Sequence, residues 1–230
     1  MLTNTERALL TQMLISHAYR ERLAARRFRQ AVKLAPTSQS KEYVLHVARE
    51  EDFHYLGCLK VAEQLEIDLA PLVDRRMLRR PSGIPVFATW LDVLLAHAFN
   101  DKAGYFVLKG IVGSKVPKYA RLAAEIIADE ETHGLEGAKM LRQFYGRAQM
   151  EDRAKRRLLL LHLDAAVRCL GRPNSQRDKE AMKNGLKTIS SADTVANFLE
   201  YSDRILIQLN CKDLVPVVGR YFGQSTASEA

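Results

Sequence analysis

Three cysteines are all the thiol chemistry this 230-residue chain has, and Cys58, Cys169 and Cys211 stand far apart with no CxxC pair. That spacing excludes a disulfide framework and a thiolate zinc site, and it suits a reducing compartment. No uncharged run approaches the ~20 residues needed to cross a bilayer, and the first six residues lack a basic segment followed by an apolar one. A soluble, cytoplasmic protein is expected. There is no zinc-finger spacing, no RNP-type aromatic motif and no glycine-rich phosphate or dinucleotide loop, so neither nucleic acid nor membrane is an expected partner. Only seven prolines and twelve glycines punctuate the chain, and no stretch of any length alternates with the two-residue period of a strand.

What is present is globular in composition, 47% apolar and 27% charged, which excludes wholesale disorder. Lys and Arg number 35 against 27 Asp and Glu, a net charge of +8. The basic residues cluster at Arg20, Arg22, Arg26, Arg27 and Arg29, at Arg75, Arg76, Arg79 and Arg80, and at Arg153, Lys155, Arg156 and Arg157. Solvated helix faces and an acidic ligand or partner are both consistent with these clusters, and charge alone leaves the two readings open.

Nearly everything between the breaks reads helical. A capping box, Thr3-Asn4-Thr5-Glu6, introduces a first helix to about Lys33, closed by Ala35-Pro36-Thr37-Ser38. A second helix is expected from about Ser40 to Glu66, followed by a long irregular connection over Ile67–Gly83 that holds Pro71 and Pro81. A third spans roughly Pro85 to Val112, and a fourth begins at Pro117, suited to a first helical turn, and runs to about Tyr145. Shorter helical pieces follow at Asp152–Leu170, Gln176–Lys183 and Ala192–Leu209. Two tight connections and one long one, joining four long helices, describe an all-α, ferritin-like four-helix bundle with additional C-terminal helices. One domain is expected over residues 1–230, with the four-helix core at 4–146 and a helical extension at 150–222.

An internal repeat supports the pairing of helices. The segment from Leu14 to Glu21 aligns with that from Leu94 to Asp101, displaced by 80, and Glu50-Glu51-Asp52-Phe53-His54 aligns with Asp129-Glu130-Glu131-Thr132-His133, displaced by 79. The two hairpins therefore present the same chemical groups.

Residues three apart on a helix sit about 60° from each other on one face. Glu51 with His54 and Glu130 with His133 each aim a carboxylate and an imidazole the same way, and their faces carry Val44, Val47, Val61 and Ala123, Ile126, Leu141. On an apolar face these groups are costly unless paired or bound to a metal. Helix 1 adds Glu21 on its apolar stripe and helix 3 adds Asp101; Glu21 precedes Glu51 by 30 residues and Asp101 precedes Glu130 by 29. In antiparallel hairpins those separations set the acids at matching heights. Four carboxylates converging in a dry interior require cations, and two divalent ions balance them in charge. Mixed carboxylate and neutral imidazole ligation suits iron or manganese, whereas calcium prefers oxygen and structural zinc prefers thiolate. This is the ligand recipe of ferritin-like dinuclear carboxylate bundles.

Further candidates are weaker. His17 and His97 lie one turn before Glu21 and Asp101, placed either to orient those ligands or to fill the core. Tyr105, one turn after Asp101, is a candidate pocket or redox residue and otherwise a packed aromatic; Cys58 reads as a small buried filler.

Glu21, Glu51-Asp52-Phe53-His54, Asp101 and Glu130-Glu131-Thr132-His133, with Leu170-Gly171-Arg172-Pro173-Asn174-Ser175-Gln176-Arg177-Asp178 and Gly185-Leu186-Lys187, carry a resemblance to a known family. Over roughly residues 5–215 the chain resembles the catalytic subunit of phenylacetyl-CoA epoxidase, among the phenylacetic acid catabolic proteins with a ferritin-like fold. Asp on the third helix, where many di-iron bundles carry Glu, is a feature this family shares with the chain. The resemblance implies a non-haem di-iron monooxygenase with two iron ions, or a mixed manganese–iron pair, held by Glu21, Glu51, His54, Asp101, Glu130 and His133. Glu51 and Glu130 would bridge the two metals. It further implies O₂ as co-substrate, a small organic substrate with an aromatic CoA thioester as the candidate, electrons from a separate reductase, and assembly as a homo- or hetero-oligomer. The basic clusters would then face the CoA phosphates. The alternatives are a di-iron oxidase or hydroxylase of a non-CoA metabolite, an iron-storage protein and a partner subunit.

Overall fold

The computed structural model describes residues 2–79 and 85–218, which are predominantly helical with no strand among them. The first helix, α1 (Asn4–Ala31), starts where sequence chemistry puts it: Thr3 Oγ1 accepts from the Glu6 amide at 3.3 Å while Glu6 Oε2 accepts from the Thr3 amide at 2.7 Å. A 3₁₀ turn (Val32–Leu34) and Pro36 end it, and Thr37 caps α2 (Ser38–Glu63) by accepting from the Ser40 amide.

The connection expected to be irregular contains a helix, α3 (Ala70–Arg79). Pro71 is its second residue, where a missing amide hydrogen costs no helical bond, so proline there does not break the helix. Val73 within it and Leu69 just before it are buried. The arginines expected as a cluster are partly spent on docking it: Arg22 pairs with Asp74, and Arg76 Nη1 donates to Ser16 Oγ at 2.8 Å. Arg80, Pro81 and Gly83 lie outside the described residues, as do residues 219–222 of the expected extension.

The third long rod starts later than expected and is not uniform. It runs as α4 (Trp90–Leu95), a π-helical turn (Ala96–Asp101) and α5 (Lys102–Val112). Trp90 is its first residue because Thr89 and Asp92 form a second capping box, leaving Pro85–Ala88 outside the helix. The π turn frees backbone groups from the usual ladder, and Tyr201 Oη donates to the Ala98 carbonyl at 3.0 Å. The remaining helices are α6 (Pro117–Tyr145), α7 (Asp152–Cys169), α8 (Gln176–Lys183) and α9 (Ser191–Gln208), followed by a 3₁₀ turn (Lys212–Leu214).

Contacts at both ends show that α1 and α2 are antiparallel: Arg7 Nη1 donates to the Leu65 carbonyl at 2.6 Å, and Arg29 pairs with Asp52. The second hairpin is packed by glycines. A Cβ on Gly137 would lie 2.3 Å from His97 Cβ, and one on Gly134 would lie 2.9 Å from Lys102 Cδ, so α6 approaches the third rod more closely than any side chain permits. The hairpins meet through α2 and α6, where a Cβ on Gly57 would strike Leu122. The α7 and α9 helices cover the third rod, with His162 Nε2 3.2 Å from Asp92 Oδ1 in a fully buried contact. Buried apolar residues from Leu10 to Val218 form one continuous core, and each fully buried Leu, Val or Ile contributes about 1.5–3 kcal/mol. Among the described residues no helix is long and apolar enough to cross a membrane.

Candidate metal centre

Where α1, α2 and α6 face one another, the core holds charge instead of hydrocarbon. Glu21, Glu51, His54 and Glu130 are 6%, 2%, 5% and 4% exposed, and each offers a ligand atom within 4.8 Å of the others. The helical periods place them so: the faces that bury Leu14 and Ala18, Val47 and Cys58, and Ala123 and Ile126 are the faces that carry the acids.

The two imidazoles are held from outside. His54 Nε2 lies 3.0 Å from Asp129 Oδ2, and His133 Nε2 lies 2.8 Å from Glu50 Oε2. Each carboxylate sits one residue before the ExxH of the other helix, so the brace is reciprocal across α2 and α6. Sequence reasoning missed both braces, although the repeat aligned Glu50 with Asp129. With Nε2 engaged outward, both Nδ1 atoms point inward. His54 Nδ1, His133 Nδ1 and Glu130 Oε2 are buried with no hydrogen-bond partner. The nearest carboxylate oxygens to His54 Nδ1 are Glu21 Oε2 at 3.5 Å and Glu51 Oε2 at 3.9 Å. Inward, unpartnered nitrogen and oxygen donors among clustered acids are what a cation requires. This buried cluster could hold a metal ion.

The other two expected ligands stand differently. His133 Nδ1 is 4.0 Å from Glu51 Oε1, at the edge of the cluster. Asp101 is buried and close enough to Glu130 to raise its pKa, but it lies outside the tight group, with Oδ2 2.6 Å from His97 Nδ1. His17 Nε2 lies 3.1 Å from Glu21 Oε1, and its Nδ1 is 3.4 Å from the hydroxyl of the fully buried Tyr119. Both one-turn-earlier histidines therefore touch the acids they precede. Tyr105 is a half-buried ring packed on Phe106 with the Lys102 ammonium 3.8 Å from its centre, and Cys58 is fully buried, its thiol pushed up chiefly by that burial.

Burial penalises every charge here, and the neighbours decide which charges persist. Burial raises Glu51 and Glu130 well above the ordinary carboxylate value, reinforced for Glu51 by Glu21 and for Glu130 by Glu51 and Asp101. For Glu21 burial acts upward too, but His17 and His54 outweigh it and hold the carboxyl well below the ordinary value. Burial alone would lower His54, yet Glu21 and Glu51 prevail and raise it to about 12. Protons thus occupy the place that cations would take.

Away from the cluster, a surface groove of about 680 Å³ is lined by Arg22, Arg26, Arg29, Asp52, Tyr55 and Met77, among others. Arg22 and Arg29 are answered by Asp74 and Asp52, and Arg156 in the third basic cluster by Asp213.

The sequence matches no protein-family model and no curated protein.

Proposed function

We propose that the chain is a ferritin-like, non-haem di-iron monooxygenase that activates O₂ and transfers oxygen to an organic substrate, with an aromatic acyl-CoA as the candidate. The observation that carries this reading is the inward pair of unpartnered imidazole nitrogens, on helices that also deliver clustered buried carboxylates. Carboxylates with neutral imidazoles are the donor set of iron or manganese, and the duplicated half-sites supply enough ligands for two ions. Glu21, Glu51, His54, Asp101, Glu130 and His133 would hold them, with Glu51 and Glu130 shared. When bound, the ions supply the reduction of O₂ and the transfer of one oxygen atom, with two external electrons.

The chain's own residues do the rest. Asp129 and Glu50 engage the outer imidazole nitrogens, which leaves the inner nitrogens as the ones a cation would take. His17 Nε2 faces one oxygen of Glu21 at 3.1 Å, and the other oxygen faces His54, where a ligand bond would form. Leu14, Leu94, Val47 and Ile126, all essentially inaccessible, keep bulk water away. The resemblance to phenylacetyl-CoA epoxidase supports the substrate class, and the absence of flavin and nicotinamide motifs supports a separate reductase. The basic groove on α1 is where the CoA phosphates would be sought.

Anaerobic reconstitution with Fe(II), followed by metal analysis and Mössbauer spectroscopy, tests the centre: about two irons per chain are expected, and a chain that takes up no iron refutes the reading. Incubation with phenylacetyl-CoA, a chemical or enzymatic reductant and ¹⁸O₂ tests the reaction. Labelled product is expected, and product without label excludes oxygen transfer. A shell-sized particle in light scattering would favour iron storage instead.

A further inference from the structure

The two halves of the duplicated centre differ in how much of their geometry is already in place. In the first, Glu21, Glu51, His54 and Glu130 present ligand atoms within 4.8 Å of one another before any ion arrives. Glu21 is backed by a chain of contacts that is buried throughout: Tyr119 Oη lies 3.4 Å from His17 Nδ1, and His17 Nε2 lies 3.1 Å from Glu21 Oε1. Glu21 has one oxygen, Oε1, facing the His17 ring and the other, Oε2, facing His54 Nδ1 at 3.5 Å.

The second half lacks this preparation. Asp101 reaches one methylene less far than Glu21, stands on the π turn, and has Oδ2 taken up by His97 Nδ1 at 2.6 Å. His97 has no counterpart of the Tyr119 bond. As with His17, its Nε2 is buried without a hydrogen-bond partner; its ring is stacked on Phe28 at 4.4 Å, and Tyr43 meets it edge-on with a hydroxyl that is itself unpartnered. His133 Nδ1 is 4.0 Å from the nearest oxygen of Glu51. To complete a site here, Asp101, which lies outside the tight group, must close on Glu130 and His133, and that rearrangement is drawn from the binding free energy.

We propose that the centre loads in order: a first cation binds tightly at Glu21, Glu51, His54 and Glu130, with Tyr119 and His17 as positioning residues, and a second binds more weakly at the Asp101–His133 half. The proposal rests on the metal-binding reading above and adds to it an order and an inequality. A preorganised site against one that must rearrange implies affinities about tenfold or more apart.

Anaerobic titration of the whole chain with Co(II), followed by calorimetry and by the ligand-field absorption of the bound ion, reads both steps. Two resolved steps are expected. His133→Gln should lose the weak step and keep the tight one; His54→Gln should lose the tight one. Tyr119→Phe should weaken the tight step about tenfold and leave the weak one in place. The same variant should alter the ¹⁵N shifts of the His17 ring in the metal-free chain, a change that loss of packing alone would not produce. Circular dichroism checks that each variant folds. Two ions bound in a single step of equal affinity, loss of the tight step in His133→Gln, or a Tyr119→Phe chain with unaltered tight step and His17 shifts would overturn the ordered loading while leaving the metal centre intact. A wild-type chain that binds no Co(II) would remove the metal-binding reading itself.

Discussion

His54 and Asp129 meet across two helices that are 75 residues apart in sequence at this point, with Nε2 and Oδ2 3.0 Å apart. His133 and Glu50 repeat the relationship in the opposite direction at 2.8 Å. A carboxylate on the outer nitrogen fixes the tautomer and aim of the ring and raises the basicity of the inner nitrogen. Asp129→Asn and Glu50→Gln should each weaken metal binding about 10–100-fold with little change in helicity. Competition against a chelator of known affinity measures this, and full affinity in both variants would show that the braces serve packing alone.

Protons and metal ions compete for the same cluster. Glu51, Glu130 and His54 all hold their protons to higher pH than free side chains do, so each arriving cation must displace them. Metal loading should therefore release protons, and apparent affinity should rise with pH. Titration in weakly buffered solution with an indicator dye reads both effects. An affinity independent of pH between 5 and 8, taken as roughly the working range of such dyes, would contradict the proton-filled cluster.

Gly104 touches the same chemistry sterically. A Cβ there would stand 3.2 Å from Glu130 Oε2 and 3.3 Å from Glu130 Cδ, tight enough to push the carboxylate aside. Gly104→Ala should favour helix formation locally, by roughly 0.5–1 kcal/mol of propensity, while lowering metal affinity. Gly137→Ala differs, because its Cβ would meet His97 Cβ at 2.3 Å and the Ala98 amide nitrogen at 3.1 Å, and should cost about 1–3 kcal/mol by overpacking. Denaturant titration separates the two variants; equal stability losses would show that α6 can shift freely.

The Glu6 carboxylate joins the start of α1 to the loop before α6. Lys115 first, and the Thr3 amide next, hold its pKa down at about 2. A depressed carboxylate stabilises the fold above its unfolded value of 4.5, and this contribution is lost as pH falls towards about 2. Glu6→Gln should thus lower the melting temperature at neutral pH and converge with the wild type in acid. A gap independent of pH would show that the charge on Glu6 contributes nothing to stability.

Much of the centre was legible beforehand because an α-helix has a fixed period. The positions of Glu21, Glu51, His54 and Glu130 on apolar faces, and the 30-residue spacing within the first hairpin, are one-dimensional facts. The all-helical character and the second, fourth and C-terminal helices follow from the same regularities. The α3 helix was hidden by Pro71, which only its place in the first turn makes harmless. Asp101 was harder still: a π turn inserts a residue, so a face counted at 3.6 residues per turn loses its register there.

The sequence by itself determined which side chains share a helix face, because local backbone geometry sets that. Only the tertiary structure decided which of them meet: the crossed braces of Glu50 and Asp129, the contact of Tyr119 with His17 behind Glu21, and the pairing of Asp101 with His97 at the edge of the cluster all depend on packing. Packing depends on how closely helices approach and on where a wide turn interrupts one of them, and neither is written in any single helix's period.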